Sequence, residues 1–297
     1  MGGIDNLDLG SFGIYTFDFE DQSAALMRES VQGLEELGWR TLWFPEVHGR
    51  EALSLAGYLL SSTERLQVVN AIAQIGPRGA EATYGAALLL ADAYRDRHIL
   101  GLGYGGRKPG VKPLAAMNQY LDELDSLEVS GVGAGSAASK APIRRVLAAY
   151  GPKMLELARD RSAGAHTYHV NVAHTANARE ILGPDAFLGV EHAVVFERDP
   201  DTARAIARKH MQTYLDPEAT FNIAKFRRLG YSDEEISGGG SDRLIDDLVF
   251  WGEPDVVADK LRAHLDAGAD HVAVQLVGGE KGQSALPGWR LLAEALG

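Results

Sequence analysis

The apolar residues of this chain follow two alternating rhythms. Short runs in which nearly every position is apolar suit strands buried on both faces, and longer stretches with apolar residues every three or four positions suit helices with one buried stripe. The stretch from Arg65 to Arg107 shows both. Leu66 to Ile75 is apolar apart from Gln67, Asn70 and Gln74, and Gly76-Pro77-Arg78-Gly79 ends it. Tyr84, Ala87, Leu88, Ala91 and Tyr94 then mark one face of a helix from Ala80 to Tyr94. His98-Ile99-Leu100-Gly101-Leu102-Gly103 is a second buried strand, closing in Tyr104-Gly105-Gly106-Arg107. A helix crossing between two such strands is a βαβ unit, which needs neighbours of its own kind.

The pattern predicts those neighbours. Strands are expected at 9–17, 41–44, 143–150, 165–170, 188–196 and 271–277, and helices at 22–37, 51–62, 113–124, 176–182, 200–228, 254–267 and 289–296. Gly151-Pro152 opens one more helix, with proline where its missing N–H costs nothing. Two stretches, 128–141 and 237–241, are rich in Gly, Ala and Ser and are expected to be mobile loops. Eight strands alternating with helices point to an α/β fold, a single (β/α)8 TIM barrel over residues 1–297. In such barrels the chemistry sits on the turns that follow the strands.

Composition narrows the partners. The chain has 297 residues, 45% hydrophobic, ample for one large core, and a net charge of −12. That charge argues against nucleic acid or an anionic membrane as the main partner, although Arg107, Lys108 and Lys112 could meet one anionic ligand. No cysteine is present, which excludes disulfides, thiolate nucleophiles and cysteine-held metal clusters and fits a cytoplasmic protein. The N-terminus lacks the basic and apolar regions of a signal peptide, and no apolar run is long enough to span a bilayer.

Several residue groups could carry chemistry. Gly101, Gly103 and Gly106 have dinucleotide-fingerprint spacing, but Arg107-Lys108-Pro109-Gly110 stands where that fingerprint opens a helix. The other reading is glycines at a strand end that let a flat ligand approach the backbone. Glu46 and His48 follow the second strand, where a carboxylate and an imidazole could transfer protons, or could be two solvated groups of a surface turn. His166 and His169 lie three apart in a strand, on opposite faces, so they cannot both bind one metal, and no metal site is expected even with His174 nearby. His166 is read as a hydrogen-bonded histidine of the rim. Neither a G-x-S-x-G elbow nor a phosphate-binding P-loop is present.

Six stretches, in order and spacing, carry a family likeness. They are Leu37 to Glu46, Ser62 to Leu66, Ile99 to Gly103, Gly151 to Ala158, Ala163 to His166, and Trp251-Gly252 leading into Ala267 to Val272. Together they resemble the luciferase-like monooxygenase superfamily, and within it the oxidoreductases of actinobacterial type that use the deazaflavin coenzyme F420. The resemblance implies a TIM barrel, usually a homodimer, with a tricyclic ring at the C-terminal mouth and a small-molecule substrate above it. It places a cis peptide behind the ring at Ala71-Ile72 or the neighbouring peptide, with Gly103 and His166 also in the cofactor site. Ala149, Tyr150, Gly151 and Lys153 match the region that holds the phosphate-bearing tail, and Glu46 and His48 would give or take the proton. Val47 separates these two, whereas relatives place the histidine directly after the acid, and the loop Tyr104 to Lys112 is shorter than in near relatives. The implied activity is hydride transfer between deazaflavin C5 and the substrate. The alternatives are an FMN-dependent monooxygenase using O2 and a flavin-binding barrel without catalysis.

Overall fold

A computed structural model describes residues 9–105, 110–130 and 142–297. The strands are β1 (Phe12–Tyr15), β2 (Thr41–Phe44), β3 (Gln67–Asn70), β4 (Ala73–Gln74), β5 (His98–Gly103), β6 (Arg145–Ala148), β7 (Gly164–Thr167), β8 (Phe187–Phe196), β9 (Val249–Gly252) and β10 (His271–Leu276). All pair in parallel, and β10 bonds to both β1 and β8, so β1, β2, β3, β5, β6, β7, β8 and β10 close an eight-stranded barrel. The expected TIM barrel is therefore what forms. Near-continuous burial along β2, β5, β7 and β8 is why these runs lack the polar alternation of a one-faced sheet.

Helices α1 (Ala24–Glu36), α2 (Ala52–Ser61), α3 (Ala80–Ala93), α4 (Pro113–Ser130), α5 (Pro152–Arg161) and α6 (Val172–Leu182) connect the first strands, and α11 (Pro254–Asp266) and α12 (Leu286–Leu296) complete the ring. Their starts follow local chemistry. Ser23 and Asn171 accept backbone N–H groups at the first turns of α1 and α6, and Gly38, at φ +86°, lies just past α1. Glu35 of α1 accepts the backbone N–H groups of Glu64, Arg65 and Leu66, which pins the approach to β3.

Four expectations need correction. The single strand over Leu66 to Ile75 is split, with Ala71 and Ile72 forming a bulge between β3 and β4. The single helix over 200–228 is two, α7 (Pro200–Met211) and α8 (Thr220–Arg228), because Pro217 turns the preceding Asp216 out of helical geometry. Beyond them lie α9 (Asp233–Ile236), α10 (Asp242–Leu248) and β9, absent from the periodic reading because each is too short to show a period. Finally, α4 runs on to Ser130, so residues 128–130 of the expected loop are helical and 131–141 lie outside the described residues. No helix among the described residues is long and apolar enough to cross a membrane.

Burial in this barrel is unusually hard on histidine. Of nine, only His48 is exposed; seven are buried and His210 half-buried. Desolvation lowers the basicity of all eight, to about 4 for His98, His210, His264 and His271 and about 3 for His166. The hydrogen bonds agree for His271, whose Nδ1–H donates to Gly10 O at 2.7 Å while Nε2 accepts the Trp43 indole N–H at 2.9 Å, leaving no room for a second proton. Because the folded values lie below the unfolded value near 6.5, unfolding takes up protons as pH falls. Stability is fully present above about 6.5 and is lost from there through about 4, by up to about 1.4 kcal/mol per pH unit for each buried histidine. Denaturant titrations across that range should show the loss. A flat profile would mean that these rings are charged in the fold.

Candidate active site

The C-terminal mouth is built around the bulge. The peptide between Ala71 and Ile72 is cis, one of the two neighbouring positions the resemblance allows. Three bonds hold the bulge from behind and beside. The Tyr15 hydroxyl donates to Ala71 O at 2.8 Å, Ala71 N–H donates to Phe44 O at 2.7 Å, and Glu46 N–H donates to Ile72 O at 3.0 Å. Two glycines of β5 let the bulge lie close against that strand. A Cβ on Gly101 would lie 1.7 Å from Asn70 O, and one on Gly103 would lie 2.1 Å from Ile72 Cδ1 and 3.1 Å from Ala148 Cβ. These glycines therefore serve close approach rather than a dinucleotide turn; Gly106, the third of that spacing, lies outside the described residues, as do Arg107 and Lys108.

The expected site residues divide by position. Ala71, Ile72, Gly103 and Ala149 come together at the mouth, since Ala148 touches the space in front of Gly103 and Ala149 follows it. Tyr150, Gly151 and Lys153 continue into the start of α5, with Lys153 exposed. There the Tyr150 ring stacks on His174 at 4.9 Å, and the Arg228 guanidinium lies 5.7 Å from the Tyr150 ring and beside Gly151. A helix N-terminus flanked by Lys153 and Arg228 suits a negatively charged group. His166 is not on the rim. It points into the lumen below the mouth, stacked 4.8 Å from Trp43 and 6.0 Å from Tyr15, and neither ring nitrogen finds a side-chain partner, so it supports the ring seat from beneath rather than forming its surface.

Glu46 and His48 face a different space. With Val47, Gly49, Gln74, Pro77 and Tyr104 they line a cavity of about 380 Å³ beside the bulge, within the range of ligand sites. Arg78 grips both oxygens of Glu46, and the backbone N–H groups of Gln74 and Ala52 donate to them at 2.7 and 3.3 Å. Gln74 also bonds Glu46 O at 2.8 Å. A carboxylate with four donors has little lone-pair capacity left for a substrate proton, and its geometry clamps the turn after β2 to the bulge. His48 is exposed on the same wall.

A second polar group escaped the sequence reading. Glu191 sits mid-β8, fully buried, on the face shared by Phe187, which stacks on Trp43, and Gly189, which abuts Trp43. A signal existed. A lone acid flanked by Val190 and, two residues on, by Ala193 in a strand buried on both faces must be paired or protonated. Burial raises its carboxyl to about 8.

Comparison with known proteins agrees with this architecture. Residues 11–124 match the family model described as luciferase-like monooxygenase. A Mycobacterium tuberculosis protein described as a candidate coenzyme F420-dependent oxidoreductase is 24% identical, covering 83% of this chain and 89% of its own. The coenzyme F420-dependent tetrahydromethanopterin reductase of Methanopyrus kandleri superposes with a TM-score of 0.69 at 18% identity, over 96% of this chain and 98% of its own. The oxygenating constituent of a diketocamphane monooxygenase from Pseudomonas putida, solved with FMN, gives 0.67 at 12%, over 96% and 95%. At such identities the two structures speak for the fold alone. Fold and mouth define a luciferase-like (β/α)8 barrel with a bulged third strand. Residues 11–124 thus carry the luciferase-like family match, and the 24% identical relative is described as an oxidoreductase.

Breaking the clamp tests its role. Glu46→Gln, which forfeits the ion pair while keeping the size, should lower stability by about 1–3 kcal/mol, a drop in melting temperature of several degrees. An unchanged melting temperature would show that the clamp contributes nothing to holding the turn.

Proposed function

We propose that this protein is a coenzyme F420-dependent oxidoreductase that transfers hydride between the deazaflavin and a small organic substrate. The observation that carries the proposal is the shape of the mouth. Gly101 and Gly103 let the Ala71-Ile72 bulge pack close against β5, and next to Gly103 the chain passes through Ala148 and Ala149 into the cation-flanked start of α5. A flat ring with an anionic tail fits those two parts. Ala71, Ile72 and Gly103 would hold the ring, and Tyr150, Gly151, Lys153 and Arg228 the tail. When bound, the coenzyme supplies hydride chemistry at its C5 carbon.

The chain's own groups do the rest. Tyr15 fixes the carbonyl of the bulge, and Glu46 ties the bulge to the wall of the neighbouring cavity. His48, exposed on that wall, is the member of the expected pair left to meet a substrate. The resemblance and the 24% identical relative favour the deazaflavin, and the FMN-bound neighbour keeps flavin as the alternative to be tested.

Parallel titrations of the purified protein with coenzyme F420 and with FMN, read by ligand fluorescence and melting temperature, test the reading. Micromolar F420 binding with little for FMN is expected. The reverse preference would make the protein a flavin monooxygenase, and binding of neither would leave a barrel without redox chemistry. Gly103→Ala, which drives a methyl group into Ile72, should weaken F420 at least tenfold with only a modest fall in melting temperature. Equal affinity would move the ring away from this seat.

A further inference from the structure

The turn after β2 is fixed at its two ends by its own carboxylates. Glu46 is gripped by Arg78, and Glu51 accepts the Leu53 and Ser54 backbone N–H groups at 3.1 and 2.7 Å and so caps α2. Between them lie Val47, His48 and Gly49. Their three successive backbone N–H groups converge on one carboxylate, that of Glu20: Val47 N–H reaches Oε1 at 3.3 Å, and His48 and Gly49 N–H reach Oε2 at 3.4 and 2.6 Å. Among the described residues these three groups have no other acceptor. Successive N–H groups turned to one side form a concave nest for an anion, and here a side chain of the same molecule fills it.

Glu20 comes from the neighbouring turn, after β1, and that turn is itself anchored. Phe19, buried in the short 3-10 turn Asp18–Glu20, packs edge-on against Phe44 at the end of β2, with ring centres 6.4 Å apart. The brace is reciprocal, since Arg50 donates back to Phe19 O at 3.3 Å and to Gln22 O at 2.9 Å. Gln22 in turn donates to Gln283 O, beyond β10, at 2.8 Å. Room in the nest is limited. A Cβ on Gly49 would lie 3.0 Å from Glu20 Oε2, so a larger residue there would push that oxygen away.

We propose that Glu20 is a positioning residue of the substrate site, acting through His48. This inference rests on the hydride-transfer reading, in which His48 meets the substrate. His48 and Gly49 line the cavity beside the bulge, so where their backbone stands decides where the imidazole and that wall stand. Glu46 does not do this work, because its carboxylate is committed to Arg78 and to the backbone of Gln74 and Ala52. A glycine in an exposed turn leaves the backbone free to move unless a partner holds it, and Glu20 is that partner. Holding a group that meets substrate matters more to turnover than to folding, since small misplacements cost rate steeply. Glu20 itself neither touches the substrate nor moves a proton.

The experiment compares wild type with Glu20→Gln, Gly49→Ala, His48→Asn and the double variant E20Q/H48N. E20Q keeps the size but trades an acceptor oxygen for an amide donor that faces N–H groups, and G49A crowds Glu20 without changing charge. His48 is the only exposed histidine of the nine, so carbethoxylation by diethyl pyrocarbonate, located by mass spectrometry, reports on it directly and needs no coenzyme. E20Q and G49A should label His48 about threefold faster or more, by local opening of the turn, with melting temperatures within a few degrees of wild type. Turnover is read with reduced coenzyme F420 and a panel of small ketones and enones as probes. E20Q should lower kcat/KM about tenfold or more with F420 affinity unchanged, and should cost nothing further in the H48N background. Unchanged labelling in both variants, or an equal E20Q loss with and without His48, would overturn the proposal by showing that Glu20 does not act through that residue. Failure of wild type to bind F420 or to reduce any probe, with the labelling difference intact, would instead overturn the hydride-transfer reading.

Discussion

The barrel is organised around what desolvation does to polar side chains in its lumen. The bond from the Trp43 indole to His271, and onward to Gly10 O, exists only while the imidazole is neutral. Trp43 in turn supports His166, and His166 stacks beneath Tyr15, whose hydroxyl meets the carbonyl of the bulge. The seat at the mouth thus stands on a column of aromatic and imidazole rings that must shed their protons to be there. Adding charge at any level would require either water in the lumen or loss of the column.

The mouth itself is asymmetric. On one side, Glu46 and Arg78 form a saturated pair that fixes geometry and offers little chemistry. On the other, Glu191, His169 and Lys225 are sunk in a region with fewer donors than the groups could use. A carboxylate that has all its partners is a strut; a buried carboxyl that has one holds its proton more tightly. The sequence ordering of these residues says nothing about which is which, because the difference lies in what α7, α8 and the β3–β4 bulge bring to them.

Much of the architecture was legible from periodicity. Doubly buried strands such as Leu42 to Phe44 and Ile99 to Leu102, and helices such as Met27, Val31 and Leu34 of α1, carry their own signal because burial on two faces or one stripe dictates composition. The region from Pro200 to Gly252 was poorly read, since α7 and α8 share a helical rhythm across Pro217, and α9, α10 and β9 are only four to seven residues long. At the site, the barrel's geometry puts the turns after strands at the C-terminal face, but the partners each side chain meets there come from distant parts of the sequence. Glu46 is committed to Arg78, 32 positions away, and His166 faces the lumen because β7 begins at Gly164. Glu191 stayed hidden inside an apolar run, where strand pairing to β10 and β7 decides that it points inward.

The segment containing α7 to α10 packs with Ala193, Val195 and Val249 into a core of its own, centred on Met211, Phe226, Leu244 and Leu248. It contributes Lys225, His210 and Tyr214 to the surroundings of Glu191 and His169 while drawing most of its cohesion from residues outside the lumen. Such a lobe can accept insertions, deletions and altered surface chemistry over generations without disturbing barrel closure. In descent from a common barrel, the polar surroundings of Glu191 can therefore diversify independently of the bulge and of the strands that carry it.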